Sequence, residues 1–439
     1  MKKLFRRVIL ALLAVVLEVD RTGTYSEHMF KKSLDQKLAV LSDAAKYDAS
    51  CASSGSTKRD SRDGLGLGSN TGAGICHSYA PDGRCISLLK ILMTNFCIYD
   101  CVYCVNRVSS NVERARFSVD EVVNLTVDFY RRNYIEGLFL SSGIIRSPDK
   151  TMEDMVNIAR RLREEENFRG YIHLKTIPDA APELIAEAGR LADRLSINVE
   201  LPTDAAVRSY APEKDPVQIR KAMADVKLRR EAAKDKTHTG RRAAQFAPAG
   251  QSTQVIIGAD DANDAAILKQ STRLYGSYGL KRVYYSAFSP IPDASSRLPL
   301  ISPPLQREHR LYQADWLLRF YDFQLDEITG VTADGNLDLD IDPKLAWALA
   351  HRGLFPVDVN SAARDLLLRV PGFGIKTVNR ILSTRRHRTL RFEDLQRIGA
   401  SMKKARAFIS AKGWSPKNLI DTADLRAKFA PPPEQLLLL

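Results

Sequence analysis

Between residues 86 and 303, short apolar runs alternate with longer stretches whose apolar positions recur every three to four residues. The short runs predict β-strands at Leu88–Met93, Gly137–Ser141, Tyr171–Lys175, Arg194–Val199, Thr253–Gly258 and Arg282–Phe288. The longer stretches predict helices at Ser118–Asn133, Met152–Glu166, Ala181–Leu191, Val217–Lys234 and Ala262–Tyr278. Ser118 and Glu121 have the spacing of a capping box, placed directly before the apolar face Val122, Val123, Val127 and Phe129. Six strands separated by helices predict an α/β fold, a partial (βα)6 TIM-type barrel with its chemistry at the strand C-terminal ends.

Around this core the pattern changes. Residues 51–74 are rich in Ser, Gly and Thr and read as a loop; neither GxGxxG nor Gly-Lys-Ser/Thr occurs, so no phosphate loop is expected there. Leu305–Asp322 reads as a closing helix, Ile328–Pro343 as an acidic, turn-rich linker, and the chain from 344 to 415 as helical and basic. The expected segments are an extension at 1–28, an N-terminal helix and Cys-containing loop at 29–87, and the barrel at 88–325. A linker at 326–355, a small all-α domain at 356–415 and a tail at 416–439 follow. Lys2, Lys3, Arg6 and Arg7 precede the apolar run Val8–Leu17. That run is too short to span a bilayer and has no small-x-small cleavage site after it, whereas Met29 opens an amphipathic stretch. The expectation is translation from Met29 and a cytoplasmic protein with no membrane association.

Composition adds two constraints. With 44% hydrophobic and 27% charged residues the chain has the make-up of a soluble globular protein, and its net charge of +13 points to a polyanionic partner. All six cysteines, Cys51, Cys76, Cys85, Cys97, Cys101 and Cys104, fall in the first quarter of the chain. Such clustering favours metal ligation over a disulfide framework, and hence a reducing compartment.

The segment NFCIYDCVYC sets Cys97, Cys101 and Cys104 on one tight loop after the first predicted strand. Three thiolates at this spacing can each hold one iron of a 4Fe–4S cluster and leave the fourth iron open. A zinc site with three Cys and a fourth ligand is the alternative, although zinc ribbons favour paired CxxC units, which the chain lacks.

CxxxCxxC with Tyr103 before the last cysteine resembles the signature of the radical S-adenosylmethionine (SAM) superfamily. The resemblance covers about Leu88 to Phe288. It implies the partial barrel, a 4Fe–4S cluster with SAM on its open iron, and a 5′-deoxyadenosyl radical that abstracts hydrogen from a substrate. It also implies an electron donor such as flavodoxin or ferredoxin. On the same resemblance, Ser141, Ser142 and Gly143 stand where the family meets the methionine amine; the family's acid is missing there. Ser196, Asn198 and Glu200, on one strand face by period two, stand at its ribose and carboxylate contacts. Gly258 stands near adenine. Catalytic residues are not assigned. Cys51, Cys76 and Cys85, with His77 as a fourth ligand, would suit a second iron–sulfur cluster; the plain alternative is packing by small apolar side chains.

The C-terminal region carries a second pattern. Val370-Pro371-Gly372-Phe373-Gly374 precedes the apolar positions Ile375, Val378 and Ile381 of a helix. Gly372, Phe373 and Gly374 would aim backbone N–H groups outward to hold a phosphate, with Lys376 and Thr377 adding contacts. A degenerate copy follows at Gly399, with Ser401 in place of the second glycine and Lys403 and Lys404 beside it. Residues 361–415 contain 13 Lys/Arg against 3 Asp/Glu, so much of the positive charge sits here. This resembles tandem helix-hairpin-helix domains. The whole chain resembles radical SAM proteins described as acting in DNA modification or repair, which occur with a uracil-DNA-glycosylase-like partner. That resemblance implies DNA as substrate, held by its backbone with weak sequence specificity. An RNA-modifying radical SAM enzyme and a DNA-binding protein with a structural or redox-sensing cluster are the other readings. Two weaker signals are the basic connection 237–251 and the aromatic residues Tyr284, Tyr285 and Phe288, which could stack on a base.

Overall fold

The computed structural model describes residues 32–47, 75–79, 85–234 and 245–430. The expectations for residues 1–31, for the loop 51–74 with Cys51, for most of the basic connection and for the end of the tail lie outside these. The chain divides into two compact units. The first takes in residues up to 100, 104–195 and 233–249, and the second takes in 101–103, 196–232 and 250 onward.

In the first unit, Ser33 begins helix α1 (Leu34–Ala44) with a reciprocal capping box to Gln36. Strands β1 (Ile75–Tyr79), β2 (Cys85–Leu92), β3 (Gly137–Ser141), β4 (Tyr171–Lys175) and β5 (from Arg194) are neighbours in chain order. β1 is antiparallel to β2, whereas β2, β3 and β4 run parallel, with Lys90, Phe139 and His173 in register. β1 lies in the segment expected to be loop. Leu89, Ile91, Leu138, Leu140, Ile172 and Leu174 are fully buried, as expected for strands covered on both faces. Helices α2 (Val119–Arg131), α3 (Pro148–Glu164) and α4 (Pro182–Leu191) follow the strands. The capping box at Ser118 and Glu121 forms as its spacing requires. α3 begins four residues before its expected start because Ser147 caps the Lys150 N–H and Pro148 takes the first helical position.

In the second unit, the chain from Ser196 to Glu200 runs beside β6 (Gly250–Ile257); the Ile197 N–H donates to Ser252 O at 3.1 Å. β6 is parallel to β7 (Arg282–Ala287). Helices α5 (Asp204–Tyr210), α6 (Pro216–Ala232), α7 (Asp264–Tyr278) and α8 (Leu305–Phe320) complete this part. Tyr285 is fully buried, its hydroxyl bonded to Ser271 and Asp315, so it packs inside and does not present a stacking face.

The expected linker contains two helices, α9 (Leu325–Thr329) and α10 (Pro343–Ala350). Trp347 of α10 is buried and meets Phe355, which in turn meets Phe408, both edge-to-face. The residues after it therefore share a core with this helix. They form α11 (Arg364–Arg369), α12 (Ile375–Thr384), α13 (Phe392–Arg397) and α14 (Met402–Ala405), closed by the parallel pair β8 (Val357–Asp358) and β9 (Ile409–Ser410). Among the described residues, no helix is long and apolar enough to cross a membrane.

Candidate cluster site and basic hairpins

The chain leaves β2 at Leu92 and makes a long loop whose base is closed by buried polar side chains. Thr94 Oγ1 donates to Ala115 O at 2.9 Å and accepts the Phe96 N–H. The Asn95 amide bonds the backbone at Glu113 and Ala115. Above them, the Arg114 guanidinium donates to four loop carbonyls, those of Asn95, Asn106, Arg107 and Ser110. Burial lowers the Arg114 pKa, and the nearby Cys104 and Cys97 sulfurs act in the opposite sense. The cation thus braces the loop that carries the cysteines.

Cys97 Sγ accepts N–H groups from Tyr99 and Ile144, both at 3.5 Å. Cys101 is buried and Cys104 half-buried, the latter with its carbonyl bonded to Arg107. All three are present as thiols. The next loop, after β3, is laid against this one: Gly143 N–H donates to Thr94 O at 2.8 Å and Ile98 N–H to Ile144 O at 2.8 Å. A Cβ on Gly143 would stand 2.2 Å from Phe96 O. Glycine is needed here for close approach of two backbones, one residue before the first cysteine.

The donor set suits a 4Fe–4S cluster: three thiols on one stretch of chain, backbone N–H groups on sulfur, and a half-buried cation beside them. Among the described residues, no three His, Cys, Asp or Glu side chains converge on a single-ion position. A cubane takes each thiolate on a different iron, so its ligands need not share one point. When bound, the cluster and SAM supply a carbon-centred radical that removes hydrogen from a substrate. The three cysteines would hold the cluster, and Thr94, Asn95 and Arg114 keep the loop in register.

The other expected positions are placed as follows. Tyr103 and Ser141 are buried, and Ser142 Oγ donates to the Gly143 carbonyl. Ser196 shares a hydroxyl hydrogen bond with Ser252 at 2.7 Å. Asn198 and Glu200 are buried on the same stretch, and Glu200, with φ +68°, ends its extended run. Its carboxylate pairs with Lys214, a residue with no signal in the strand pattern because it comes from the turn before α6. Gly258 (φ +76°) turns the chain at the end of β6 against Pro303. Cys76 packs on the apolar group Ile86, Leu88 and Phe139, while Cys85 and His77 lie on paired strands β2 and β1.

At the C-terminal hairpins, Gly372 (φ +83°) and Gly399 (φ +94°) both use conformations that favour glycine. Ser401 N–H donates to Gly372 O at 3.1 Å, and Thr377 Oγ1 donates to Gly399 O at 3.0 Å. The two turns therefore lie side by side. Phe373 and Thr377 are buried, so their side chains hold the turns together and do not reach outward. Gly374 caps α12 with no side-chain bond. Lys376 and Lys403 are exposed, as is Lys404, which pairs with Asp342 at 2.7 Å.

Residues 91–235 match the family model described as the radical SAM superfamily. No curated protein matches the chain. Among solved structures, the FeFe-hydrogenase maturase HydG from Carboxydothermus hydrogenoformans aligns at TM-score 0.39 and 16% identity, over 52% of this chain and 50% of that one. Methylornithine synthase (PylB) aligns at 0.38 and 14%, over 51% and 61%. The radical SAM methyltransferase TsrM from Kitasatospora setae, with cobalamin and a 4Fe–4S cluster bound, aligns at 0.33 and 13%, over 46% and 37%. The chain spans less than two thirds of the length of each. Residues 91–235, with the cysteine loop at their head, are thus a radical SAM domain. The match supports an enzyme, and the family it belongs to uses a 4Fe–4S cluster and SAM.

Arg114 was not legible from spacing, since its partners are carbonyls. Arg114→Gln leaves at least one of those carbonyls without a donor, since the Arg107 carbonyl alone keeps the Ser110 N–H and the Gln amide has two hydrogens to give, at about 1–3 kcal/mol. The expected outcome is a folded chain that melts lower and retains under half the wild-type iron and sulfide after anaerobic reconstitution. Full iron content at unchanged melting temperature would contradict this role.

Proposed function

We propose that this radical SAM enzyme acts on DNA, in base modification or repair, and that residues 356–415 are a tandem helix-hairpin-helix module holding the DNA backbone. The observation that carries the reading is the pairing of two glycine turns within the most basic part of the chain. Gly372 and Gly399 are bridged by the Ser401 and Thr377 hydrogen bonds. The first turn leads into α12, whose opening N–H groups can take phosphate oxygens without reading a base, while the Gly399, Ala400 and Ser401 N–H groups of the second are donated within the fold and brace the first. Exposed Lys376, Arg397 and Lys403 add charge around them. Held this way, a duplex could yield an extruded nucleotide to the radical chemistry, which cannot reach a stacked base.

The test is binding of the reconstituted full chain to duplex DNA and to structured RNA across a salt series. Duplex DNA should bind more tightly, with affinity falling steeply as salt rises. Lys376→Ala with Lys403→Ala should flatten the log–log salt slope by about 2, one for each phosphate that is no longer neutralised. Preference for RNA would turn the reading to RNA modification, and salt-insensitive or absent binding would end it.

A further inference from the structure

Beside the paired turns lies a cavity of about 500 Å³, within the roughly 300–1,000 Å³ range of small-molecule sites. One wall is α8, from which Trp316 projects, 46% exposed and tilted against Phe320 at 4.4 Å between ring centroids. The opposite wall is the hairpin itself, at Gly372, Phe373 and Ser401. Tyr321 spans the two, its hydroxyl 3.7 Å from where a Gly374 Cβ would stand. The floor holds Lys344, whose ammonium lies 4.8 Å from the Tyr321 ring centroid and donates to Phe373 O at 2.6 Å. Lys404 stands at the rim, on Asp342.

The half-exposed Trp316 indole lines a recess that also carries Lys344 and Lys404, and an indole face attracts planar and cationic groups. An aromatic wall, ammonium groups and a glycine turn at the head of α12 together match one ligand chemistry: a planar heterocycle joined to a phosphate. The recess is also continuous with the turn proposed to hold the strand's backbone, since Gly372 belongs to both. We propose that this cavity is a subsite for a single unpaired nucleotide, its base on Trp316 and its phosphate between Lys404 and the Gly372–Gly374 turn.

This rests on the nucleic-acid reading above and sharpens it. The enzyme would distinguish DNA carrying an unpaired or displaced nucleotide from intact duplex at a place separate from the cysteine loop. Burial pushes Lys344 down to about 7, and an anion seated nearby would favour its charged form. Lys344 is a positioning residue in this account, because its hydrogen bond goes to the hairpin carbonyl.

The experiment uses the reconstituted full chain and two probes, a blunt duplex and the same duplex with one bulged 2-aminopurine. Wild type should bind the bulged duplex about tenfold more tightly, the scale of one base–aromatic stack, and should quench the 2-aminopurine. Trp316→Ala should lose that preference and the quench, while its affinity for blunt duplex stays within about twofold. Lys376→Glu should weaken both probes alike and leave their ratio intact. Equal affinity of wild type for the two probes, with Lys376→Glu still weakening both, overturns the subsite and leaves the DNA reading standing. Failure of both probes to bind overturns the DNA reading, and the subsite with it. Retention of preference and quench in Trp316→Ala overturns the subsite by itself.

Discussion

Alanine at Cys97, Cys101 or Cys104, one at a time, should abolish 5′-deoxyadenosine formation and remove most of the iron. The three sulfurs sit on one loop held by Thr94, Asn95 and Arg114. A cluster of this type with three protein ligands already has one iron open, and loss of another thiolate leaves two. The fold should survive, because backbone hydrogen bonds and Arg114 also hold the loop, and alanine at Cys97 removes just the sulfur that accepts the Tyr99 and Ile144 N–H groups. Iron and sulfide content, visible absorbance and chromatography of the SAM products check this, with circular dichroism as the control. A variant that keeps wild-type turnover would remove that cysteine from the ligand set.

Gly143→Ala should also cost most of the cluster, although residue 143 carries no ligand. Its Cβ would stand 2.2 Å from Phe96 O and 3.0 Å from Phe96 C, both backbone atoms that cannot rotate away. Either the loop after β3 lifts off or Phe96 shifts, and Cys97 follows directly in the chain. Overpacking of this kind costs about 1–3 kcal/mol, and the Gly143–Thr94 and Ile98–Ile144 hydrogen bonds are the first to stretch. The expected result is a melting temperature a few degrees lower and iron content well below wild type. Unchanged iron content with slowed turnover alone would instead place Gly143 in contact with SAM, as the family resemblance implies.

Much of the first unit was legible because local signals and burial agree. Gly137–Ser141 and Tyr171–Lys175 form strands over the expected residues, and Ser118 caps its helix through Glu121 as the spacing requires. β1 was not legible: Ile75–Tyr79 mixes Cys, His and Ser next to a Ser/Gly-rich stretch, and its strand character comes from pairing with β2. The expected linker misled for a related reason. Residues 330–342 do lie outside regular structure, but Asp326 and Glu327 lie in α9, and Trp347 and Phe355 of the same stretch are buried against one another. Tertiary packing decided that segment, and local composition did not.

The site divides in the same way. The cysteine spacing is a property of the chain and could be read directly. Arg114, Lys214 and Lys344 could not, because each acts on a group brought to it by folding: loop carbonyls, the Glu200 carboxylate and the Phe373 carbonyl. Thr377 shows the converse. Its position after the hairpin suggested an outward contact, yet its hydroxyl is spent on Gly399.

The central claim is that the loop bearing Cys97, Cys101 and Cys104 commits this protein to radical chemistry on SAM. The most direct measurement is product analysis of the anaerobically reconstituted full chain after dithionite and SAM are added. The account predicts 5′-deoxyadenosine in the wild type, and none with Cys101→Ala. An intact four-iron cluster in the wild type that yields no 5′-deoxyadenosine, and whose reduced spectrum does not change when SAM is added, would contradict it.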